Sequence, residues 1–130
     1  MEYAPLGPTE QMIPRIGFGT ARYRGEPGVL GRAIELGADL IDTTESYNAF
    51  GDELGVAEGI VGRELREAGA AAFVATKVST QNLRYDDVIA HSHASRERLG
   101  IDVIDLYQIH GPNPTIPIVE TIRAMEQLVA

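Results

Sequence analysis

The chain has no cysteine. A disulfide frame, a thiolate metal site and a thiol nucleophile are therefore excluded, and a reducing, cytoplasmic setting is the expected one. Long apolar runs are also missing: nothing approaches the ~20 residues that a membrane-spanning helix needs. The opening Met1-Glu2-Tyr3-Ala4-Pro5-Leu6-Gly7 lacks the basic-then-apolar pattern of a secretory signal. Positive charge is scarce, with 11 Lys plus Arg against 19 Asp plus Glu and a net charge of −8. Binding to nucleic acid needs basic patches that neutralise phosphates, and binding to an anionic membrane surface needs the same sign; neither partner is expected. Low-complexity tracts, linkers and blocks of like charge are absent too. The 130 residues read as one unit, 1–130.

What is present is a rhythm. Four short apolar runs recur at 13–20, 38–43, 71–78 and 103–110. Each is of strand length and continuously apolar, the pattern of parallel strands buried on both faces. Helical spacing fills the gaps. Residues 28–36 carry Val29, Ala33, Ile34 and Leu36 and stop at Gly37; residues 54–68 carry Leu54, Ala57, Val61, Leu65 and Ala68 and stop at Gly69. A weaker helix is expected over 85–99, ending at Gly100. A fourth, over 117–130, opens with Pro117 and carries the stripe Ile118, Ile122, Met125, Val129. Residues 2–6 and 11–14 read as a small hairpin ahead of these units. Strand–helix alternation of this kind implies an α/β fold with a parallel sheet. A (β/α)8 barrel of the TIM type takes roughly 250 residues. Four β/α units therefore correspond to its first half, and the last helix reaches Ala130 with no stop signal.

One phosphate-binding motif has to be set aside. Gly17-Phe18-Gly19-Thr20-Ala21-Arg22 follows a strand, and Asp42 comes later, as in a dinucleotide fingerprint. Arg22 stands where that fingerprint needs a small residue, and Gly25-Glu26-Pro27 separates the glycines from the helix, so close helix–strand packing is unavailable. The carboxyl ends of the runs are more informative. The second ends at Asp42, with Tyr47 just beyond; the third ends in Lys77 and the fourth in His110. Parallel strands bring these ends to one rim, where barrel enzymes keep their chemistry. A phenol is a poor acid near neutrality, but an adjacent ammonium favours the phenolate. A carboxylate can hold that ammonium, and a neutral imidazole can donate a hydrogen bond to a substrate oxygen. Such a group suits proton donation to a carbonyl oxygen, and the missing hydride implies a nicotinamide cofactor.

Taken singly, these residues have simpler explanations: Asp42 as a turn cap, Lys77 as a surface lysine lying along apolar side chains, His110 as loop punctuation before Gly111-Pro112. Jointly, four roles in order on one rim favour the site. His91 and His93 lie two apart and do not share a helix face, so they are expected to be surface or half-buried polar residues. Glu45, Asp52, Glu53 and Glu58 lack fixed spacing and are expected in a solvated loop and helix start; no metal site is expected. Gly55, Gly59 and Gly62 either let the second helix pack closely or lower its stability. Tyr107, inside the fourth strand, is expected to be a packing residue.

The segments "LIDTTESY", "VATKV" and "RLGIDVIDLYQIH", in this order and spacing, resemble the aldo-keto reductase family. "IPRIGFGTARY" resembles that family's first barrel strand, and the opening hairpin resembles the one that plugs the barrel floor. The resemblance implies NADP(H)-dependent reduction of an aldehyde or ketone, or the reverse oxidation of an alcohol, on a (β/α)8 barrel. Position by position, it implies Tyr47 as proton donor, Lys77 as the group that tunes it, Asp42 as the partner of Lys77, and His110 as the residue orienting the carbonyl. Gly19, Thr20 and Asp42 would lie near the nicotinamide and its ribose. Asn48 stands where the family usually has glycine. The family's later strands, which carry the clamp for the 2′-phosphate, have no counterpart here. The isolated chain is therefore expected to turn over little substrate and to self-associate through its open edge. A non-catalytic half-barrel that works by association with another chain is the alternative reading.

Overall fold

The computed structural model describes residues 1–47 and 53–129. Strands β1 (Tyr3–Pro5) and β2 (Met12–Pro14) form the expected antiparallel hairpin, with Tyr3 opposite Pro14 and Pro5 opposite Met12. The chain then alternates: β3 (Phe18–Gly19), α1 (Val29–Glu35), β4 (Leu40–Asp42), α2 (Val56–Ala68), β5 (Phe73–Val78), α3 (Tyr85–Leu99), β6 (Leu106–Ile109) and α4 (Ile118–Val129). The second sheet runs in the order β3-β4-β5-β6, and every neighbouring pair is parallel. This is the expected α/β arrangement, four consecutive β/α units consistent with part of a TIM-type barrel. The hairpin is tied to the amino end of β4, where the Tyr3 hydroxyl donates to the Asp39 carboxylate at 3.0 Å.

The strands are shorter than the apolar runs, and the causes are local. Of the run 13–20, Ile13 and Pro14 belong to the hairpin and only Phe18–Gly19 joins the parallel sheet. Pro14 has no N–H for a central ladder. The run 103–110 enters the sheet only at Leu106. Just before it, the Asp105 carboxylate accepts the Val74 N–H at 2.8 Å, so a side chain satisfies a donor that a neighbouring strand would otherwise take.

Side chains alternate along each strand, and the register sorts them into two faces. Phe18, Ile41 and Val74 are aligned across β3, β4 and β5. They pack with Leu30, Val61, Leu65 and Leu99 under α1, α2 and α3, forming the main core. A second cluster of Val78, Leu83 and Ile116, with Tyr107, Ile109 and Met125 against it, lies on the α4 side. Gly19, Asp42, Ala75 and Leu106 are aligned on the other face, and Lys77 and Gln108 follow two residues on. The helix-covered face is thus well buried, whereas Leu40 and all of β6 are half-buried. Burial on both faces, expected from the continuous apolar runs, is deepest on the helix side at β4 and β5, where Ile41, Val74 and Val78 are fully covered. Among the described residues no helix is long and apolar enough to cross a membrane.

Helix α3 spans the expected residues. Asp86 and Asp87 lie in its first turn and Arg96 and Arg98 in its last, matching the helix dipole, and Gly100 closes it at φ 67°. Of Gly55, Gly59 and Gly62, the first and last permit close approach: Gly55, at φ 83°, lies against the Arg98 side chain, and Gly62 lies against main chain. A Cβ there would stand 2.6 Å from the Leu99 carbonyl oxygen, on rigid backbone at the end of α3. Nothing lies within 4 Å of a Cβ at Gly59. Gly62→Ala is therefore expected to lower unfolding stability by about 1–3 kcal/mol through overpacking. Gly59→Ala should instead raise it by about 0.5–1 kcal/mol through better helix propensity. Urea titration followed by circular dichroism separates the two.

Candidate active site

The site grows from the end of the β4–β5 ladder. Beyond Asp42 the chain keeps pairing with β5: the Thr43 N–H donates to the Ala75 carbonyl at 2.9 Å and the Glu45 N–H to the Lys77 carbonyl at 3.3 Å. The Thr44 hydroxyl adds a second bond to that Lys77 carbonyl, at 2.9 Å. The far side of the segment rests on the start of α2, where the Gly55 N–H donates to the Glu45 carbonyl (2.6 Å) and the Ala57 N–H to the Tyr47 carbonyl (3.1 Å). Residues 43–47 are thus held from both sides, and Tyr47 stands at the end of that segment.

The predicted side chains meet here. Asp42 is aligned with Ala75, and Lys77 lies two residues further along β5, so both project from the same face. The Lys77 ammonium donates to Asp42 Oδ1 at 2.8 Å and to the Thr43 carbonyl at 2.8 Å, which uses two of its three hydrogens. It also lies 5.3 Å from the centroid of the Tyr47 ring, close enough for cation–π attraction. Lys77 therefore sits between Asp42 and Tyr47, its side chain only 13% exposed against 45% for Asp42. The His110 ring meets the Tyr47 ring edge-on, centroids 5.5 Å apart. Lys77 is, moreover, the only lysine in the chain; every other fixed cation is arginine. Gly19 and Thr20 end β3 beside them. Thr20 is buried and donates from both its N–H and its hydroxyl to the Asp42 carbonyl at 3.0 Å. Gly19 is exposed, and nothing lies within 4 Å of where its Cβ would be. An open glycine beside a half-exposed carboxylate fits the nicotinamide ribose end of a dinucleotide, which needs close approach and an acceptor for a hydroxyl.

Two features went unrecognised in the sequence. The first is Ser46, whose hydroxyl lies 3.0 Å from His110 Nδ1. The second is a buried polar network behind the site, which corrects the expectation that Glu45 and Glu58 are solvated. Both are fully buried. Glu45 Oε1 accepts the Ser79 N–H and hydroxyl, each at 2.7 Å, and the Asn82 amide at 3.0 Å; its Oε2 lies 2.6 Å from His91 Nδ1. Glu58 accepts the Thr76 hydroxyl at 2.6 Å and Arg98 Nε and Nη2 at 2.8 and 2.7 Å. Burial drives these acids inside only because donors from β5 and α3 await them. His91 is half-buried in this network and His93 is exposed. Asp52 lies outside the described residues, as does Asn48. Tyr107 packs as expected; burial first, then the charges of Glu45 and Glu58, push its phenol well up, so it stays protonated. Among the described residues no group of three or more His, Asp or Glu side chains is placed to hold a metal ion.

An acid–lysine–phenol–imidazole cluster thus lies on the carboxyl rim of four consecutive parallel β/α units, an α/β arrangement consistent with part of a TIM-type barrel. The sequence pattern of the Aldo/keto reductase family matches residues 15–130, and the chain belongs to that family. It is 31% identical to the aldo-keto reductase YhdN of Bacillus subtilis (strain 168), over 98% of this chain and 43% of that protein. It is 36% identical to the methylglyoxal reductase YeaE of Escherichia coli (strain K12), over 91% of this chain and 42% of that one. Among solved structures, the thermostable aldo-keto reductase Tm1743, bound to the inhibitor epalrestat, matches with a TM-score of 0.82 at 34% identity, covering 99% of this chain and 50% of its own. An aldo-keto reductase from Klebsiella pneumoniae in complex with NADPH matches with a TM-score of 0.73 at 31% identity, covering 91% and 42%. The chain spans half or less of the length of these relatives.

The buried network has a pH signature. Desolvation raises the Glu45 carboxyl, but the Ser79 N–H and hydroxyl, Asn82 and His91 outweigh it, and the net effect lowers the group below its ordinary value of 4.5. A carboxyl depressed in the fold contributes stability that is fully present above its unfolded value and is lost as pH falls through the folded one. Acid unfolding should therefore steepen below pH 4.5, and Glu45→Gln should flatten that part of the curve while lowering stability at neutral pH. Unfolding midpoints measured between neutrality and acid check both.

Proposed function

We propose that this chain carries the proton-transfer half of an NADP(H)-dependent aldo-keto reductase acting on an aldehyde or ketone, or on the alcohol in reverse. The observation that carries the reading is the Lys77 ammonium held at 2.8 Å on Asp42 Oδ1 and 5.3 Å from the Tyr47 ring, with His110 against the same ring. Tyr47 is the proton donor. It gives its phenolic hydrogen to the carbonyl oxygen and is left as phenolate, whose charge the nearby ammonium stabilises. Asp42 and the Thr43 carbonyl hold that ammonium in place, so no reorganisation is needed as charge develops. His110, edge-on to the same ring, fixes the substrate oxygen. NADPH, when bound, would supply the hydride to the carbonyl carbon. Gly19, Thr20 and Asp42 would hold its ribose side, Gly19 by leaving room and Asp42 by accepting a hydroxyl. NADPH in the Klebsiella pneumoniae relative supports that cofactor, and the methylglyoxal reductase supports a small carbonyl substrate. A cytoplasmic setting fits the cysteine-free composition.

Specific observations favour a second role, association. An open groove of about 780 Å³ runs along β6 between α3 and α4, lined by Val103, Ile104, Leu106, Ile122, Met125 and Val129. It lies away from the catalytic cluster, and Val103 and Val129 are 70% and 89% exposed. Apolar surface of this kind associates. The isolated chain is therefore expected to be dimeric or larger by light scattering and to turn over little substrate.

The chemical test uses the chain fused to the second half of the Klebsiella pneumoniae relative, which completes a barrel. Tyr47→Phe should lower the turnover of methylglyoxal by about 10²–10⁴-fold while NADPH binding, followed by fluorescence, is unchanged. Near-normal turnover in Tyr47→Phe removes Tyr47 from the acid role.

A further inference from the structure

The β4–β5 ladder changes its pattern at Glu45. A parallel ladder is evenly spaced. Its register is set where the Phe73 N–H donates to the Asp39 carbonyl at 2.8 Å, and it continues to the Glu45 N–H on the Lys77 carbonyl. Carried one step further, that register assigns the Ser79 N–H to the Glu45 carbonyl. The Gly55 N–H takes that carbonyl instead, at 2.6 Å. The Ser79 N–H turns to the carboxylate of the same residue, donating to Glu45 Oε1 at 2.7 Å. Glu45 thus substitutes its side chain for its own main chain. Its carbonyl is released toward the start of α2, while the residue keeps its hold on the strand that carries Lys77. The Ser79 hydroxyl, Asn82 and His91 secure the carboxylate in this place. Burial works against its charge, and these donors outweigh it. Beyond Glu45 the chain leaves the sheet: the Tyr47 N–H donates back to the Thr44 carbonyl at 3.3 Å, and the Tyr47 carbonyl accepts from Ala57.

We infer that Glu45 is a positioning residue for the Tyr47–Lys77 pair, its carboxylate standing in for a ladder carbonyl so that the chain can turn off the sheet and lay the Tyr47 ring across the Lys77 ammonium. The inference rests on the reading of that pair as the proton-transfer group. The carboxylate is bonded to Ser79, Asn82 and His91, and the ammonium to Asp42 and the Thr43 carbonyl. The effect therefore passes through the main chain on both sides: Glu45 stands two residues before Tyr47 and grips the residue two beyond Lys77. An apolar residue at 45 leaves the Ser79 N–H without its acceptor, and that N–H can be met only by drawing the Glu45-position carbonyl back from α2. Tyr47 then moves away from Lys77.

The sole lysine makes this measurable without turnover. The 130-residue chain labelled with 15N-lysine gives one side-chain ammonium signal, observed at about pH 6, where side-chain carboxyls are ionised. Contact between the Tyr47 and His110 rings is followed by proton cross-relaxation and identified by its loss in Tyr47→Phe. Glu45→Ala should speed exchange of the Lys77 ammonium hydrogens with water by about tenfold and abolish the ring contact. Glu45→Gln can still accept the Ser79 N–H and should fall between the two. Leu30→Val, in the main core, is the control for lost stability and should leave both signals unchanged. Exchange in Glu45→Ala no faster than in the unsubstituted chain overturns the inference. Where Glu45→Ala does not fold, the same result in Glu45→Gln overturns it. Equal acceleration in Leu30→Val also overturns it, since loosening of the whole fold then accounts for the change. Normal turnover in Tyr47→Phe, by contrast, overturns the proposed function and leaves the hold of Glu45 on this geometry standing.

Discussion

Everything at the rim depends on the grip that residues 43–47 take on Lys77. The segment continues the β4–β5 ladder past Asp42, so the Lys77 carbonyl is held by the Glu45 N–H and the Thr44 hydroxyl, while its ammonium is held by Asp42 and the Thr43 carbonyl. One residue is therefore fixed at both its main chain and its charged end. An exposed ion pair contributes little to stability, about 0–1 kcal/mol. The Asp42–Lys77 pair is better understood as a positioning device, since it holds a long, rotamer-rich side chain across the face of Tyr47. The cost in side-chain entropy is offset by the main-chain bonds that hold the surrounding segment.

Behind the rim lies a polar layer where a hydrophobic one is the usual expectation. Glu45 reaches back to Ser79, Asn82 and His91, and Glu58 to Thr76 and Arg98; Arg98 Nη2 also lies 3.9 Å from Glu45 Oε2. The two acids come from the Tyr47 segment and from α2, and their partners come from β5, the turn after it and α3. Buried carboxylates are costly unless their lone pairs are met, and here they are met by donors on three separate elements. The layer thus couples the site segment to the helices. A shift of α3 against the sheet would break several of these bonds at once. Close contact at Gly62 serves the same end, because it brings the carboxyl end of α3, with Arg98, within reach of Glu58.

The two faces of the sheet divide the work. The helix-covered face holds the aliphatic core and the buried network, and sets the register of the strands. The opposite face presents Gly19, Asp42, Lys77 and Gln108, with half-buried apolar residues between them. A single register shift in β5 would turn Lys77 toward the helices and Thr76 toward the site. The Asp105 carboxylate on the Val74 N–H and the Glu45 N–H on the Lys77 carbonyl bracket β5 near its two ends and oppose that shift.

Local pattern was enough to read the architecture. Glycines 37, 69 and 100 marked helix ends because a left-handed residue there is open to glycine, and the three stand at φ 88°, 59° and 67°. The period of the apolar residues separated α2 and α4 from the strands, and the ordered Asp42, Tyr47, Lys77 and His110 followed from the rule that parallel strands share one rim. Strand ends were less legible: Pro14 acts by lacking an N–H, and Asp105 acts through a bond to Val74, distant in sequence. Glu45, Glu58 and Ser46 were not legible at all, since an acid or a serine in a loop carries no sign of what will surround it. The sequence by itself determined the order of elements and the residue types available at each strand end. Those are local properties of backbone conformation and apolar spacing. Only the tertiary structure decided which acids are buried, which hydroxyl reaches His110 and where the Lys77 ammonium rests. Each of these depends on donors and acceptors 18 to 64 residues apart, brought within about 3 Å only when the helices close over the sheet.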